Sequence, residues 1–512
     1  MDSDTHLKPN TIGPWGLAAL AIGITSPAIG LYATWGPMQV AAGPITPLVF
    51  LAAMALTLPT AISYALLNRQ APSAGAASTW LWTAVGPSAG FIAGLLMTTY
   101  FFMAAAAQPL MFALFFRDLL EWLGLKVSQR ISLPLGVIVS SVPIAWVCLQ
   151  GAAASIKSMV RLMTIETLVV VALSVTILVV KAGEPGGINF APFHPHHGIG
   201  WAGFWAAMIF GVLDFCGFDV VSTAAEEAHA PREHLPKAIL VTVIGIAVFW
   251  ALNAWAFTLS TPDAMVRAYT AHGLTAVSPM AQAYWGWGNL IVILTAFTGL
   301  TAVYISSMQG VSRIAFALAR HGLLPGRLAH LTGQNRVPRN AVLSILAAVI
   351  AVDLGSLYLL KNGLDSFTWW ASALVFFATL TFLSVNVANI VCFWRFARGQ
   401  FGVFKNLLVP AAGIVFNAYL IYAAFFSGLW AGNWRTGKSV VLGSLALLAV
   451  QLSAVLCVRI FRPERLGRGA PIGVGTDTPQ ISSRGHCVAD TRAGTDVVQL
   501  RSERLERGFV DG

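Results

Sequence analysis

The chain has 512 residues with a mean hydropathy of +0.73, and only 10% of its residues are charged. Soluble domains carry charge on roughly a quarter of their residues, so this composition excludes a string of soluble domains and predicts one polytopic membrane domain. The formal net charge of +10 does not indicate nucleic-acid binding, because the basic residues flank the apolar runs and are better explained by membrane topology.

Apolar runs of about 20 residues, the length that crosses a bilayer as a helix, recur along the chain. They predict twelve spans at about residues 14–40, 45–67, 87–116, 133–150, 158–181, 203–224, 238–259, 288–315, 340–360, 366–394, 407–427 and 438–460. We expect residues 1–12 to form an N-terminal tail, 13–461 the membrane domain, and 462–512 a mostly disordered C-terminal tail.

The charge distribution predicts the orientation of these spans. Arginine and lysine are in excess on the connections that share a side with the N-terminus, as at Arg232, Arg313 and Arg459. Such an excess marks the cytoplasmic side. We therefore expect a multi-pass protein of the cytoplasmic membrane with both termini in the cytoplasm.

The first predicted span contains a helix-breaking segment. Gly23, Thr25, Ser26, Pro27 and Gly30 fall within eight residues, and proline removes one helical hydrogen bond and clashes with the preceding turn. The helix is expected to open there. Backbone freed inside a membrane must be buried in protein or line a cavity.

The sixth predicted span contains a similar break and two acids. Gly211 and Gly217 bracket Asp214, and Asp219 follows two residues later. Interrupted helices at matching positions of two halves point to the central site of a transporter. Spans one and six correspond if the chain contains two five-span halves, so the sequence predicts an inverted five-plus-five repeat with the last two spans outside it.

Three motifs give the chain a family resemblance. Residues Gly217–Ile239 (GFDVVSTAAEEAHAPREHLPKAI), Ser312–Pro325 (SRIAFALARHGLLP) and Pro72–Leu95 (PSAGAASTWLWTAVGPSAGFIAGL) resemble the signatures of the amino acid/polyamine/organocation permeases. Ala230 and His321 depart from the family's usual Asn and Asp. The resemblance implies an all-α, LeuT-like fold of twelve helices with helices 1 and 6 interrupted, and transport without enzymatic activity or a cofactor.

The two breaks supply the candidate substrate site. We expect contacts from Thr25, Ser26, Ala28, Gly30, Tyr100, Asp214, Phe215 and Gly217. Free N–H groups at the start of a half-helix attract a carboxylate, and freed carbonyl groups attract an ammonium group. The alternative for the first span is an ordinary proline kink repaired by the Thr25 and Ser26 hydroxyls.

Asp214 departs from the family pattern, which usually has a small or apolar residue here. An ionised carboxylate at membrane depth costs about 2.5–3.5 kcal/mol on insertion scales, so it needs a partner, a proton or water. Facing the cavity, it would pair with a cationic substrate or take a proton, which favours amines, basic amino acids or polyamines. The alternative is a bond to a neighbouring Ser, Thr or Tyr without substrate contact.

Four residues are candidates for ion coupling, by a proton or by sodium. The resemblance implies a structural or gating acid at Asp219, and the alternative is a helix N-cap. Glu166 lies close to where many proton-coupled relatives carry a lysine in place of sodium; it could carry the proton, or pair with Arg161. Ser306 and Ser307 could be hydroxyl ligands facing the first break, or small packing residues.

Several other residues are candidate gates. Trp369 and Trp370 could stack over a bound substrate, although aromatic residues at this depth are equally common as interface anchors. Glu226, Glu227, Arg232 and Lys237 are expected to pair with Arg313 or Arg320 and close the inward gate; the alternative is a solvated charged loop.

Other features indicate no further chemistry. Asp353 in the ninth span is expected to lie close enough to the outer surface to be hydrated, and the HPHH stretch at His194 to be an external loop rather than a metal site. No phosphate-binding loop is present.

The sequence therefore predicts a secondary transporter for amino acids or related amines, working by alternating access with proton symport. The alternatives are an amine or amino acid exchanger, and a transporter-like sensor that signals through the C-terminal tail. Its oligomeric state is not predicted.

Overall fold

A computed structural model describes residues 10–194, 201–271, 276–333, 336–427 and 437–463 of the protein. The predicted C-terminal tail from residue 464, residues 1–9 of the N-terminal tail, and His196 and His197 lie outside the described residues.

The described chain is helical and contains two isolated β-bridges, Ile12 with Ala228 and Thr332 with Val337. Its α-helices in chain order are α1 (Pro14–Thr25), α2 (Ile29–Tyr32), α3 (Trp35–Ala42), α4 (Thr46–Gln70), α5 (Ala77–Ala84), α6 (Pro87–Trp122), α7 (Gln129–Leu149), α8 (Ala152–Ala182), α9 (Trp201–Phe215), α10 (Val220–Thr223), α11 (Pro231–Ser260), α12 (Asp263–Ala271), α13 (Val277–Trp285), α14 (Asn289–Arg320), α15 (Arg339–Leu360), α16 (Gly363–Phe396), α17 (Val409–Ile421) and α18 (Lys438–Phe461). The π-helical segments Phe404–Leu408 and Tyr422–Phe426 flank α17.

The prediction of twelve membrane-spanning helices is confirmed. Within the described residues, twelve stretches are long and apolar enough to cross a membrane. By length and composition the first stretch holds α1 and α2, and the second holds α3 and α4. Because α3 ends at the turn at Gly43 and packs against α9, we count α1, α2 and α3 as the first span. The sixth span consists of α9 and α10. The remaining ten, in order, are α4, α6, α7, α8, α11, α14, α15, α16, α17 with its flanking π turns, and α18.

Helix packing follows the predicted inverted repeat. In a five-plus-five repeat, the second, third and fifth spans correspond to the seventh, eighth and tenth. The second and third spans both pack against the tenth, and the seventh and eighth correspondingly both pack against the fifth. The second and seventh spans pack against each other, as do the third and eighth. Each half contains five spans, an odd number, so the second half enters the membrane from the opposite side.

The first and sixth spans are both broken, as predicted. In the first, α1 ends at Thr25 and Ser26 takes a φ of 38°, a left-handed conformation that costs a non-glycine residue about 1–3 kcal/mol. In the sixth, α9 ends at Phe215 and Gly217 takes a φ of +113°, which glycine adopts without that cost.

The two breaks lie side by side. The N-terminal part of the first span, α1, contacts α10 of the sixth, while its C-terminal part, α3, contacts α9. The two spans therefore run in opposite directions and come apart at the same depth. Gly211, predicted to help break the sixth span, instead lies inside α9 and packs against Ala53 of the second span.

Candidate functional site

Glu166 on the fifth span binds directly to the break in the first. The Ser26 hydroxyl donates a 2.6 Å hydrogen bond to Glu166 Oε2, and the Ala28 N–H donates to the same oxygen at 3.3 Å. The Glu166 side chain is fully buried and has no ion pair with Arg161, whose side chain is exposed. The predicted alternative, a surface pair with Arg161, is therefore wrong.

Two further residues complete the surroundings of Glu166. Gly299 of the eighth span leaves the space that the Glu166 carboxylate and the Ser26 hydroxyl occupy, since a Cβ at this position would contact both. The Tyr32 hydroxyl lies within electrostatic range of Glu166. Both this hydroxyl and Glu166 Oε1 are buried without a hydrogen-bond partner in the part of the chain that the structure describes.

The backbone donors of the first break have partners within the protein. Besides the Ala28 N–H, the Ile29 N–H donates to the Ser26 hydroxyl at 3.1 Å and the Gly30 N–H to the Ser26 carbonyl at 3.2 Å. The Thr25 hydroxyl bonds to carbonyl groups of its own helix. In this conformation, Glu166 supplies the carboxylate for which the break was predicted to be a substrate site.

Asp214 lies in the last turn of α9, not within the break itself. Thr34 of the first span bonds to its Oδ2 at 2.7 Å, and the same hydroxyl is within bonding distance of the Gly30 carbonyl. Because a hydroxyl has one hydrogen, Thr34 either donates to an ionised Asp214, or donates to Gly30 and accepts from a protonated Asp214. The predicted bond to a neighbouring hydroxyl is thus present.

Asp214 also has an unused oxygen. The residue is 8% exposed, and Oδ1 has no hydrogen-bond partner among the described residues. The Cys216 thiol, which begins the break, lies within electrostatic range of both Asp214 and Asp219. A cationic group that reached Oδ1 would therefore lie beside the broken segment.

Asp219 is bound by two tyrosines and is fully buried. Tyr64 donates to Oδ2 at 3.0 Å, and Tyr100 donates a short hydrogen bond to Oδ1. Asp219 occupies the N-cap position of α10 but makes no side-chain capping bond. The cap interpretation is wrong, and the two tyrosines satisfy the carboxylate instead.

Aromatic residues close the space around the breaks. The Trp250 indole N–H donates to the Pro27 carbonyl at 3.2 Å, and its ring packs against Gly30. Phe215 packs edge-on against Trp250 with centroids 5.3 Å apart, while Tyr100 stacks on Phe101. One of the carbonyl groups freed by the first break is therefore already occupied.

The other candidate residues lie away from the breaks or bond locally. Ser306 contacts the Leu20 carbonyl and the Met159 sulfur, and Ser307 donates to Val303 in its own helix. Trp369 packs against Gly443 of the last span. Trp370 packs edge-on against Phe102 of the third.

Two buried ion pairs close the end of the bundle at which α1 begins. Arg313 bonds to Glu227 at 2.6 Å, and Arg320 bonds to both oxygens of Glu226. These two predicted pairs are confirmed. Lys237 instead pairs with Glu233 of its own helix, and both side chains are exposed.

The Glu227 backbone extends this closure. Its carbonyl accepts the N–H groups of Thr11 and Ile12 at 2.8 and 2.9 Å, and the Ile12 carbonyl accepts the His229 N–H. Hydrogen bonds and ion pairs therefore join the start of the first span to the end of the sixth span and to the eighth span. Beside them, burial and the Arg320 guanidinium lower the pKa of His321 below its ordinary value.

At the opposite end, a glutamine joins the first span to the seventh span and to α12, the helix that follows it. Gln39 Nε2 donates to Asp263 Oδ1 at 2.8 Å, and Thr258 donates to Gln39 Oε1 at 3.2 Å. Gln39 is 1% exposed. With both ends fastened and the break residues buried, the structure is closed toward both faces.

Sequence reasoning missed Tyr32, Thr34, Gln39, Tyr64 and Trp250. Each is a polar or amphipathic side chain inside a predicted span, where an unpaired polar group is costly. That cost was the available signal. It predicts that each residue has a partner without identifying the partner, and for the Tyr32 hydroxyl the described residues supply none.

Comparison with known proteins decides the family. A family model described as amino acid permease matches residues 12–443. The chain belongs to the amino acid permease family. This permease is a transporter rather than an enzyme, and a multi-pass membrane protein.

Its curated relatives have diverse substrates in their names. The permease is 27% identical to the branched-chain amino acid permease BcaP of Bacillus subtilis, over 74% of its own length and 80% of the relative's. It is 26% identical to the methylthioribose transporter of the same species, over 69% and 77%. Over 68% of its length and 56% of the relative's, it is 25% identical to the human cationic amino acid transporter 4.

Proposed function

We propose that this permease moves amino acids or related amines across the cytoplasmic membrane by alternating access, with proton symport as the coupling. The observation that carries the proposal is the contact of Glu166 with Ser26 and Ala28 in the first break. The substrate binds between the two broken spans, and its carboxylate takes the N–H group that Glu166 occupies in the closed structure.

The coupling follows from competition between two carboxylates. Hydrogen bonds from N–H and O–H groups to an ionised carboxylate are about twice as strong as those between neutral groups. Protonation of Glu166 therefore weakens its contacts with the break and frees the Ala28 N–H. A substrate carboxylate binds best when Glu166 is protonated, so proton and substrate travel together.

Asp214 supplies the amine end of the site. Its Oδ1 oxygen is available while Oδ2 is bound to Thr34. An ammonium group paired with this oxygen removes the need for Asp214 to hold a proton. This arrangement supports substrates with a side-chain amine, or amines without a carboxylate.

The two closures serve as alternate gates. The excess of basic residues supports a cytoplasmic location for the end with the Glu227–Arg313 pair, and thus for the start of α1. The Gln39–Asp263 contact then closes the outer side. Alternating access requires that each contact break in turn.

Radiolabelled uptake into sodium-free proteoliposomes tests this function. The panel contains branched-chain, small and basic amino acids and polyamines, with and without an inside-alkaline pH gradient. For symport of one proton, a gradient of one pH unit supports about tenfold accumulation. We expect Glu166→Gln to lose this accumulation and to retain exchange against preloaded substrate.

Glu184→Gln is the matched control. Glu184 is exposed, lies just beyond the end of α8, the helix that carries Glu166, and pairs with Lys181. This substitution should leave accumulation unchanged. Wild-type uptake that ignores the pH gradient would exclude symport. Uptake only into preloaded vesicles would establish an exchanger.

A further inference from the structure

Another buried acid, Asp353, lies outside the broken spans, on the ninth span. Val342, Leu346, Val349 and Asp353 recur at intervals of four, three and four residues, so they share one face of α15. All four are buried, whereas most of the helix is not. The expectation that Asp353 is hydrated is wrong, because its side chain is fully buried.

The Asp353 carboxylate has no hydrogen-bond partner among the described residues. Neither Oδ1 nor Oδ2 accepts a hydrogen bond from the described residues. The two arginines that are buried among the described residues both lie on helices packed against α15, and both contact other acids: Arg117 of the third span contacts Asp118 and Glu121, and Arg313 of the eighth contacts Glu227. An unpaired buried carboxylate costs several kcal/mol.

The groups that do face this region are hydroxyls and a thiol. Tyr304 of the eighth span lies beside Ser141 of the fourth and within electrostatic range of Asp353 and Cys148. The Tyr304 hydroxyl is also buried without a hydrogen-bond partner in the described chain. The spans that carry Ser141 and Tyr304 both pack against α15.

We propose that Asp353 is a second proton-binding site of this permease, separate from the two breaks. A single proton removes the uncompensated charge, whereas a metal ion would need several oxygen ligands. Ser141 already donates to the Val137 carbonyl. Movement of α15 away from the fourth and eighth spans would hydrate Asp353 and release the proton.

Infrared spectroscopy of the full chain in lipid tests the proposal, because a protonated carboxyl group has its own C=O absorption. At pH 7 we expect a band in the wild type that Asp353→Asn removes and Glu166→Gln retains. Tyr304→Phe should keep the band and extend it to higher pH, because a buried hydroxyl within electrostatic range of the carboxylate is lost. The measurement requires no transport, so its result supports or rejects the Asp353 site independently of the proposed transport function.

Two results would overturn the site. One is a wild-type spectrum that Asp353→Asn leaves unchanged at pH 7, and the other is a band that disappears when sodium is added at constant pH. If Asp353→Asn does not fold, ¹³C-aspartate labelling of wild type and Tyr304→Phe replaces it. An isotope-shifted band that responds to Tyr304→Phe supports the site, and one that does not respond rejects it.

Discussion

The Ser26 hydroxyl and the Glu166 carboxylate lie 2.6 Å apart, although 140 residues separate them in the chain. Their bond joins the fifth span to the part of the first span where the helix is interrupted. The charge on Glu166 and the conformation of the break are therefore linked. A change at either residue should alter the other.

Ser26→Ala removes one of the two donors to Glu166. Hydrogen bonds to charged groups contribute about 1.5–3 kcal/mol, equivalent to about one to two pH units. With less stabilisation of the carboxylate, Glu166 keeps its proton to higher pH, so the pH profile of the initial uptake rate should shift upward. Ser307→Ala is the matched control, because the Ser307 hydroxyl donates to the Val303 carbonyl of its own helix. An equal shift in both variants would contradict the prediction.

Asp214→Asn tests the preference for cationic substrates. The amide keeps an oxygen for Thr34 but removes the negative charge beside the sixth-span break. We expect competition by cationic amines to weaken at least about tenfold, corresponding to about 1.4 kcal/mol, with a smaller change for neutral amino acids. Inhibition constants against one labelled substrate measure this. Asp365→Asn, at an exposed position of the tenth span, is the control. Unchanged inhibition by cations would reject the role of Asp214.

The sequence predicts the breaks because their causes are local. Pro27 removes a helical hydrogen bond in the first span, and Gly217 adopts the positive φ that ends the helix in the sixth. The span count follows from apolar length alone. The acids were identifiable as functional candidates because charge at membrane depth is costly.

The partners of those acids could not be predicted. Asp214 bonds to a residue 180 positions away, and Asp219 to one 155 positions away. Such pairs depend on the rotation of each helix about its own axis. In spans that are apolar on all sides, the pattern of apolar residues defines this rotation only weakly. The same reason explains why the full burial of Asp353 was missed.

Tyr64 and Tyr100 should stabilise the fold through Asp219. Tyr64→Phe and Tyr100→Phe each remove one hydrogen bond to a buried carboxylate, at a cost of about 1.5–3 kcal/mol each. The double variant should lose more than the sum, because it leaves the carboxylate without either donor. Thermal unfolding of the purified permease measures the losses, and Tyr358→Phe at an exposed position is the control. Strictly additive losses would contradict the prediction.

Glu227→Gln should open the end of the bundle at which α1 begins. Removing one partner of a buried ion pair costs about 3–5 kcal/mol, whereas an exposed pair contributes about 0–1 kcal/mol. Cys148 is a native reporter, because it is 2% exposed and lines a cavity with Glu227 and Arg313. With the other four cysteines replaced by serine, its labelling by a membrane-permeant thiol reagent should accelerate at least about tenfold.

Glu233→Gln is the matched control for this gate. It removes the same charge six residues further along the chain, at the start of α11, but from the exposed pair with Lys237. Cys148 labelling should then remain at the wild-type rate. If both variants accelerate labelling equally, the general charge of the loop controls access and the Glu227–Arg313 contact is not the gate. If neither does, the backbone bonds from Thr11 and Ile12 to Glu227 are sufficient to keep this end closed, because the substitution leaves them in place.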